Sequence, residues 1–183
     1  MSSSREMILA RIRAALRTAA PRPAEPAGVP VWPPVDDPLT TFCAEFVAVK
    51  GEIVSDLSAF LSEFSRIASH VAEVPGSVPV REAELGVTGC DCLIARTGSI
   101  AISTRSAGGR VLSVLPPVHL VIARRAQIVP DLETAIRLWR DRYGVAWPSN
   151  LCIITGPSRT ADIEKILVMG AHGPKRLALY FAD

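Results

Sequence analysis

Apolar residues recur along this chain with two periods, and the switches between them mark out its elements. Ile8, Ile12 and Leu16 repeat every four residues, which places a narrow apolar stripe on a first helix. Ser3 and Glu6 just ahead of them have the S-x-x-E spacing of a capping box, each side chain taking up an otherwise free backbone N–H. Pro21, Pro23, Pro26, Pro30, Pro33, Pro34 and Pro38 then exclude regular helix over residues 21–38, so an extended strap is expected, with Trp32 either a groove anchor or ordinary surface packing. Phe42, Phe46 and Val49 mark a helix over residues 39–51, and a short strand over 52–54 follows. Asp56 is placed to cap a helix that buries Leu57, Phe60, Leu61, Phe64 and Ile67.

Strand patterns dominate the remainder. Residues 70–74 and 87–94 read as strands around a turn at Pro75-Gly76, and 98–103 and 111–114 flank a glycine loop as a hairpin or tight crossover. A strand over 120–123 precedes a helix over 131–143, which carries Leu132, Ala135, Ile136 and Trp139 on one face and stops at Gly144. The last elements are a buried strand over 151–155, a helix over 161–169 and a strand over 177–181. That final strand–helix–strand order implies a right-handed parallel crossover. The pattern as a whole predicts a three-layer α/β fold with a largely parallel, mixed sheet. The organisation expected is an amphipathic helix over 1–20, the proline-rich strap over 21–38 and a single α/β domain over 39–183.

Composition narrows the function classes. Hydrophobic residues make up 49% and aromatics only 5%, so the core must be built from Val, Ile, Leu and Ala. A formal charge of +2, with no interior basic run, gives no reason to invoke nucleic acid. Arg5, Arg11, Arg13, Arg17 and Arg22 read as a solvated helix face rather than a transit peptide. No apolar signal segment follows the first charges, and the longest apolar stretch, residues 111–123, is interrupted by Pro116 and Pro117 and too short to span a bilayer. Cys43, Cys90, Cys92 and Cys152 lack the spacing of zinc or iron–sulfur sites, and Cys90 and Cys92 would point the same way on a strand. Reduced thiols in a cytoplasmic protein, with no metal, are expected.

Four segments could carry chemistry. In the first, residues 86–99, Thr97, Gly98 and Ser99 could cradle an anion, and Asp91 could orient a hydroxyl or pair with Arg96 or Arg110; the bland reading is sharp turns between strands. In the second, Gly108, Gly109 and Arg110 suit a carboxylate or phosphate, because arginine contacts either in bidentate fashion, although taken alone the signal is weak and a glycine hairpin explains them better. The third, Pro116-Pro117-Val118-His119, sets a histidine beside a rigid turn, either as an acid–base group or as a satisfied core residue. In the fourth, residues 155–174, Ser158 and Arg159 could meet an anion at a strand-to-helix turn and His172 could move a proton, while Ser158 or Thr160 could equally be an N-cap. No nucleophile elbow, Ser–His–Asp order or dinucleotide fingerprint is present.

The ordered series G-V-T-G-C-D-C-L-I-A-R-T-G-S-I (86–100), R-V-L-S-V-L-P-P-V-H-L (110–120), T-G-P-S-R-T-A-D-I-E (155–164) and G-A-H-G-P-K-R-L (170–177) closely resembles the LUD domain of the lactate-utilization protein C family, and the first helix also looks like the start of that family. The chain departs from it in a short stretch between residues 69 and 86 and in Arg96, where the family often has an acidic residue. The resemblance implies a fold like that of glucosamine-6-phosphate isomerase, ribose-5-phosphate isomerase and the CoA transferases. It also implies a place in a three-protein system that oxidises L-lactate to pyruvate, in which iron–sulfur partner proteins carry the electrons. This chain would then be a non-redox subunit binding a small carboxylate or phosphate at the carboxyl ends of the sheet, itself or as a homo-oligomer. Cofactors stay unassigned. Two other functions are open: an independent isomerase or acyl/CoA-transferase-like enzyme of the same fold, and a structural assembly module.

Overall fold

The computed structural model describes residues 3–19, 32–161, 167–169 and 173–183. The chain divides into two compact units, Met1–Pro33 and Pro34–Asp183. The first unit holds helix α1 (Ser4–Ala15), whose capping box forms as its spacing predicts: Ser3 Oγ accepts from Glu6 N at 3.3 Å and the Glu6 carboxylate accepts from Ser3 N at 2.8 Å. Residues 20–31, most of the expected strap, lie outside the described residues.

In the second unit, α2 (Pro38–Ala48) starts where Asp37 accepts from Thr40 N at 3.1 Å and Pro38 fills the first turn, where its missing N–H costs nothing. Five strands, β1 (Glu52–Val54), β2 (Ile67–Ser69), β3 (Leu85–Thr88), β6 (Val118–Ala123) and β11 (Arg176–Phe181), form an all-parallel sheet in the order β1-β11-β6-β3-β2. Four others, β4 (Cys92–Ile94), β5 (Ser99–Ser103), β7 (Ile128–Val129) and β8 (Leu151–Ile154), form a mixed sheet in the order β7-β4-β5-β8. A small antiparallel pair joins β9 (Arg159–Ala161) to β10 (Leu167–Met169).

Alternation along the strands assigns the cores. Leu85, Val87, Val118, Leu120 and Ile122 face one side of the parallel sheet, where Phe60 of α3 (Leu57–Leu61) packs on them. Val121, Ala123, Leu177 and Leu179 face the other side, and meet Leu93, Ile100 and Ile102 of the mixed sheet with Phe42 and Phe46 of α2. The outer face of the mixed sheet, Cys92, Ile94 and Ala101, is closed by Ala135, Trp139 and Tyr143 of α4 (Leu132–Tyr143). The fold is therefore α/β with a parallel sheet stacked on a mixed one, helices filling and covering them.

Several local expectations change. The single strand over 87–94 is two, because the chain leaves the parallel sheet after Thr88 and enters the mixed one at Cys92. Cys90 thus faces the inter-sheet core and Cys92 the α4 core, rather than both facing one way. Residues 111–114 form turns instead of a strand, since Leu112 folds down over β3. The strand expected over 70–74 lies at Ile67–Ser69, where Ile67 pairs in register with Leu85 instead of extending α3. The stretch over 151–155 is a half-exposed edge strand. The helix over 161–169 is replaced at both ends by β9 and β10, with residues 162–166 outside the described residues. No parallel crossover joins β8 to β11, which lie in different sheets.

Candidate functional site

His119 is the second residue of β6 and shares the inter-sheet face with Val121. Its side chain is fully buried. Beside it in register is Gly86, where an added Cβ would come within 2.3 Å of Leu112 O and 2.9 Å of Pro116 Cγ. Only glycine lets the 112–116 turn close down at that point. One position up β3's inter-sheet face, Thr88 Oγ1 lies 2.9 Å from His119 Nε2. Nδ1 has no hydrogen-bond partner among the described residues, an arrangement that natural interiors seldom leave unanswered.

His119 lines a cavity of about 220 Å³. Its walls come from Ser113 and Val114, from Ile153 and Ile154 at the end of β8, from the Gly156-Pro157-Ser158 turn, and from Gly173, Pro174 and Leu177. Backbone hydrogen bonds tie these segments together: Ser158 N donates to Pro174 O at 2.9 Å and Lys175 N to Pro117 O at 2.8 Å. Two of the four segments picked out above therefore line one cavity, the third through His119 and the fourth through residues 156–158 and 173–174, with Gly86 and Thr88 of the first beside the histidine.

Burial lowers the imidazole's pKa from 6.5 to about 4, because the low-dielectric surroundings penalise the charged form. His119 is thus neutral near pH 7 and offers hydrogen bonding rather than charge. The sign of the pH dependence follows. The unfolded chain takes up this proton near pH 6.5 and the folded one only near 4, so stability is complete above pH 6.5 and falls as the pH drops through that window. The loss totals about 3 kcal/mol at 1.36 kcal/mol per unit. Urea melts at pH 7, 5.5 and 4 should show this decline in the wild type and a flatter profile in His119→Asn; equal slopes in the two would show that His119 is not the titrating group. Asp37, Glu84 and Asp131, whose hydrogen bonds hold their carboxyls below ordinary values of 3.8, 4.5 and 3.8, add their losses from the acid end of this window downward, equally in wild type and variant.

The other candidate residues occupy different places. Asp91 pairs with neither Arg96 nor Arg110: its buried carboxylate accepts from Trp139 Nε1 at 3.0 Å, Arg142 Nη1 at 2.8 Å and Tyr143 Oη at 2.7 Å. Gly98, at φ +56°, presses on the backbone of α2. Thr97 and Ser99 form a hydroxyl chain with Thr155, at 2.7 Å between Thr97 and Ser99 and 2.8 Å between Ser99 and Thr155. That chain joins the first segment to the fourth, but as a strut between β5 and the turn after β8. Gly108 abuts the His70 ring, Gly109 has open space around it, and Arg110 Nη2 donates to Ser149 O at 2.7 Å. Arg159 is exposed, with Nη2 3.5 Å from Val49 O and close to Gly156, so it borders the pocket's turn. His172 lies outside the described residues.

Two larger clefts carry weaker chemistry. One, of about 430 Å³, lies around His70 and Gly108. The other, of about 420 Å³, sits at the carboxyl edge of the parallel sheet, where open α/β sheets usually bind ligands; there Gln127 Nε2 is already committed to Cys90 O at 2.8 Å. Cys90 and Cys92 stay thiols: burial raises both, Cys92 to about 12. Among the described residues no group of three or more His, Cys, Asp or Glu is placed to hold a metal, and no helix is long and apolar enough to cross a membrane. Sequence reasoning missed Thr88, Gly86 and Ser113 as parts of the site. The period-2 alternation that puts Gly86, Thr88 and His119 on one face was the available signal for the first two.

Comparison with known proteins places these segments in a family. A family model of the LUD domain matches residues 79–181, more than half of the chain. Lactate utilization protein C of Oceanobacillus iheyensis is 31% identical over 108 residues, covering 58% of this chain and 46% of that protein. The Bacillus subtilis protein of the same name is 36% identical over 99 residues, covering 53% and 41%. This chain thus spans less than half the length of these relatives. A solved structure, a DUF162 family protein of Deinococcus radiodurans, superposes with a TM-score of 0.57 at 20% identity, covering 79% of this chain and 95% of that one, a likeness of fold. The chain, by the family match across residues 79–181, belongs to the LUD domain family.

Proposed function

We propose that this chain serves lactate utilization as a non-redox component that binds a small ligand in the His119 pocket, alongside iron–sulfur proteins that carry the electrons. The observation that supports it best is a cavity lined by His119, residues 156–158 and residues 173–174, in which the buried histidine has one ring nitrogen without a partner among the described residues. These segments belong to the part of the chain that matches the LUD domain and the proteins named for lactate utilization. Family membership alone would not place a function. A cavity with an unanswered polar group, lined by residues of the matched region, supports a binding role there.

Growth tests the role. A strain lacking this chain should fail to grow on L-lactate as sole carbon source, grow normally on glucose, and recover on lactate when the chain is supplied in trans. Undiminished growth on lactate would remove the proposal.

A further inference from the structure

The orientation of the His119 ring determines what the pocket can recognise. Thr88 Oγ1 and His119 Nε2 are 2.9 Å apart, so one of them donates. If Nε2 carried the proton, the Thr88 hydroxyl proton and the Nδ1 lone pair would both be buried without partners, since His119 is the side-chain partner of Thr88 among the described residues. If the Thr88 hydroxyl donates to Nε2, both of those groups are satisfied and the proton resides on Nδ1. The second arrangement leaves a single unanswered group, a buried N–H donor on a residue that lines the cavity, and is favoured because each buried unmade hydrogen bond costs about 1–3 kcal/mol.

The walls around this donor are largely apolar: Val114, Ile154, Pro157, Pro174 and Leu177. The cavity, at about 220 Å³, is about half the size of the two other clefts, a size that suits a small ligand such as a short-chain acid. A neutral N–H in such walls suits an oxygen acceptor without full charge, since a carboxylate buried there would lose its hydration uncompensated. Charge is available outside, where the Arg159 guanidinium borders Gly156 of the pocket's turn.

We infer that the His119 pocket binds a small 2-oxo or 2-hydroxy monocarboxylate, its C2 oxygen accepting from His119 Nδ1 and its carboxylate held at the rim beside Arg159. The choice of acid rests on the proposed lactate role; the need for an uncharged acceptor rests on the geometry.

Pyruvate is the probe, titrated into the full-length chain and followed by amide NMR shifts. Acetate, which lacks a C2 oxygen, and inorganic phosphate serve as controls. Pyruvate should bind saturably, shift amides of Ser113, Val114 and Ser158, and bind at least about tenfold more tightly than acetate, with phosphate unable to displace it. His119→Gln keeps a group opposite Thr88 but has no donor at the Nδ1 position, and should weaken pyruvate about tenfold or more. His119→Asn, whose amide nitrogen reaches the Nδ1 position, should restore most of the affinity. Because His119 is buried and its variants can fail to fold, Val114→Trp at the exposed rim gives an independent reading and should weaken pyruvate by a similar factor. Unchanged affinity in Val114→Trp, equal binding of acetate, or no saturable shifts at the pocket would overturn the inference. Lost growth on lactate without pocket binding would keep the role and remove this site. Pocket binding in a chain dispensable on lactate would do the reverse.

Discussion

Asp91→Ala should lower the stability of the chain by about 2–4 kcal/mol, the cost of leaving the buried Trp139 donor unanswered, removing one of two partners of Tyr143 Oη and unpairing Arg142, whose side chain is 44% exposed. Asp91 is 2% exposed, and all three of its side-chain donors come from one turn of α4: Trp139, Arg142 and Tyr143. Its own N–H is anchored to Ala101 O at 2.8 Å, so the carboxylate links α4 to the mixed sheet. Without it the Trp139 indole N–H has no acceptor, while Tyr143 Oη keeps only Ser103 Oγ at 2.8 Å. Domains of this size have net stabilities of about 5–15 kcal/mol, so the loss is a large share of the total. Asp91→Asn retains an oxygen and should lose clearly less. Urea unfolding followed by Trp fluorescence measures both; a loss below about 1 kcal/mol in Asp91→Ala would mean that the clamp holds nothing. A ligand role for Asp91 predicts a different result, weaker binding at unchanged stability.

Gly98→Ala should cost about 4 kcal/mol, from two sources. The residue sits at φ +56°, a left-handed conformation that costs a side-chain-bearing residue about 1–2 kcal/mol. The new Cβ would also lie 2.3 Å from Phe46 N and 2.4 Å from Glu45 C, both backbone atoms of α2. That helix cannot retreat freely, because Phe42 and Phe46 stack at 5.4 Å and fill the core between the sheets; overpacking of this kind costs about 1–3 kcal/mol more. Thermal unfolding should show the drop. A melting temperature near wild type would contradict the close packing of α2 on this turn and reopen the reading of Thr97–Ser99 as an anion cradle.

Much of the fold was legible because local and tertiary signals agreed. Asp37, Asp56 and Asp131 each accept from the backbone N–H three residues on and start α2, α3 and α4. The strand over 52–54 falls where expected, and 120–123 and 177–181 lie within β6 and β11. The misreadings share one cause, contacts far along the chain that override a local pattern. Val111 to Val114 look like a strand by composition, but Gly86, some 25 residues earlier in sequence, leaves the space into which Leu112 folds. Likewise, Cys90 to Ile94 looked continuous with β3 until the transfer between sheets separated them.

For the site, the segments were legible and the roles of their side chains were not. Asp91 reads from the sequence as orienting a hydroxyl or pairing with Arg96 or Arg110 because its donors lie 48–52 residues downstream. Arg110 drew attention beside two glycines, yet its guanidinium donates to a carbonyl across a loop. His119 was read both as an acid–base group and as a satisfied core residue. The structure gives it one satisfied nitrogen and one without a partner among the described residues, on a ring that lines the cavity.

The nitrogen-15 spectrum of the His119 imidazole in the unliganded chain at pH 7 tests that arrangement most directly. A proton on Nδ1, an unprotonated Nε2 facing Thr88, and a shift confined to Nδ1 when pyruvate is added are the results expected. A proton on Nε2, or a ring indifferent to pyruvate at saturating concentration, would contradict a donor facing the pocket and with it the ligand class assigned here.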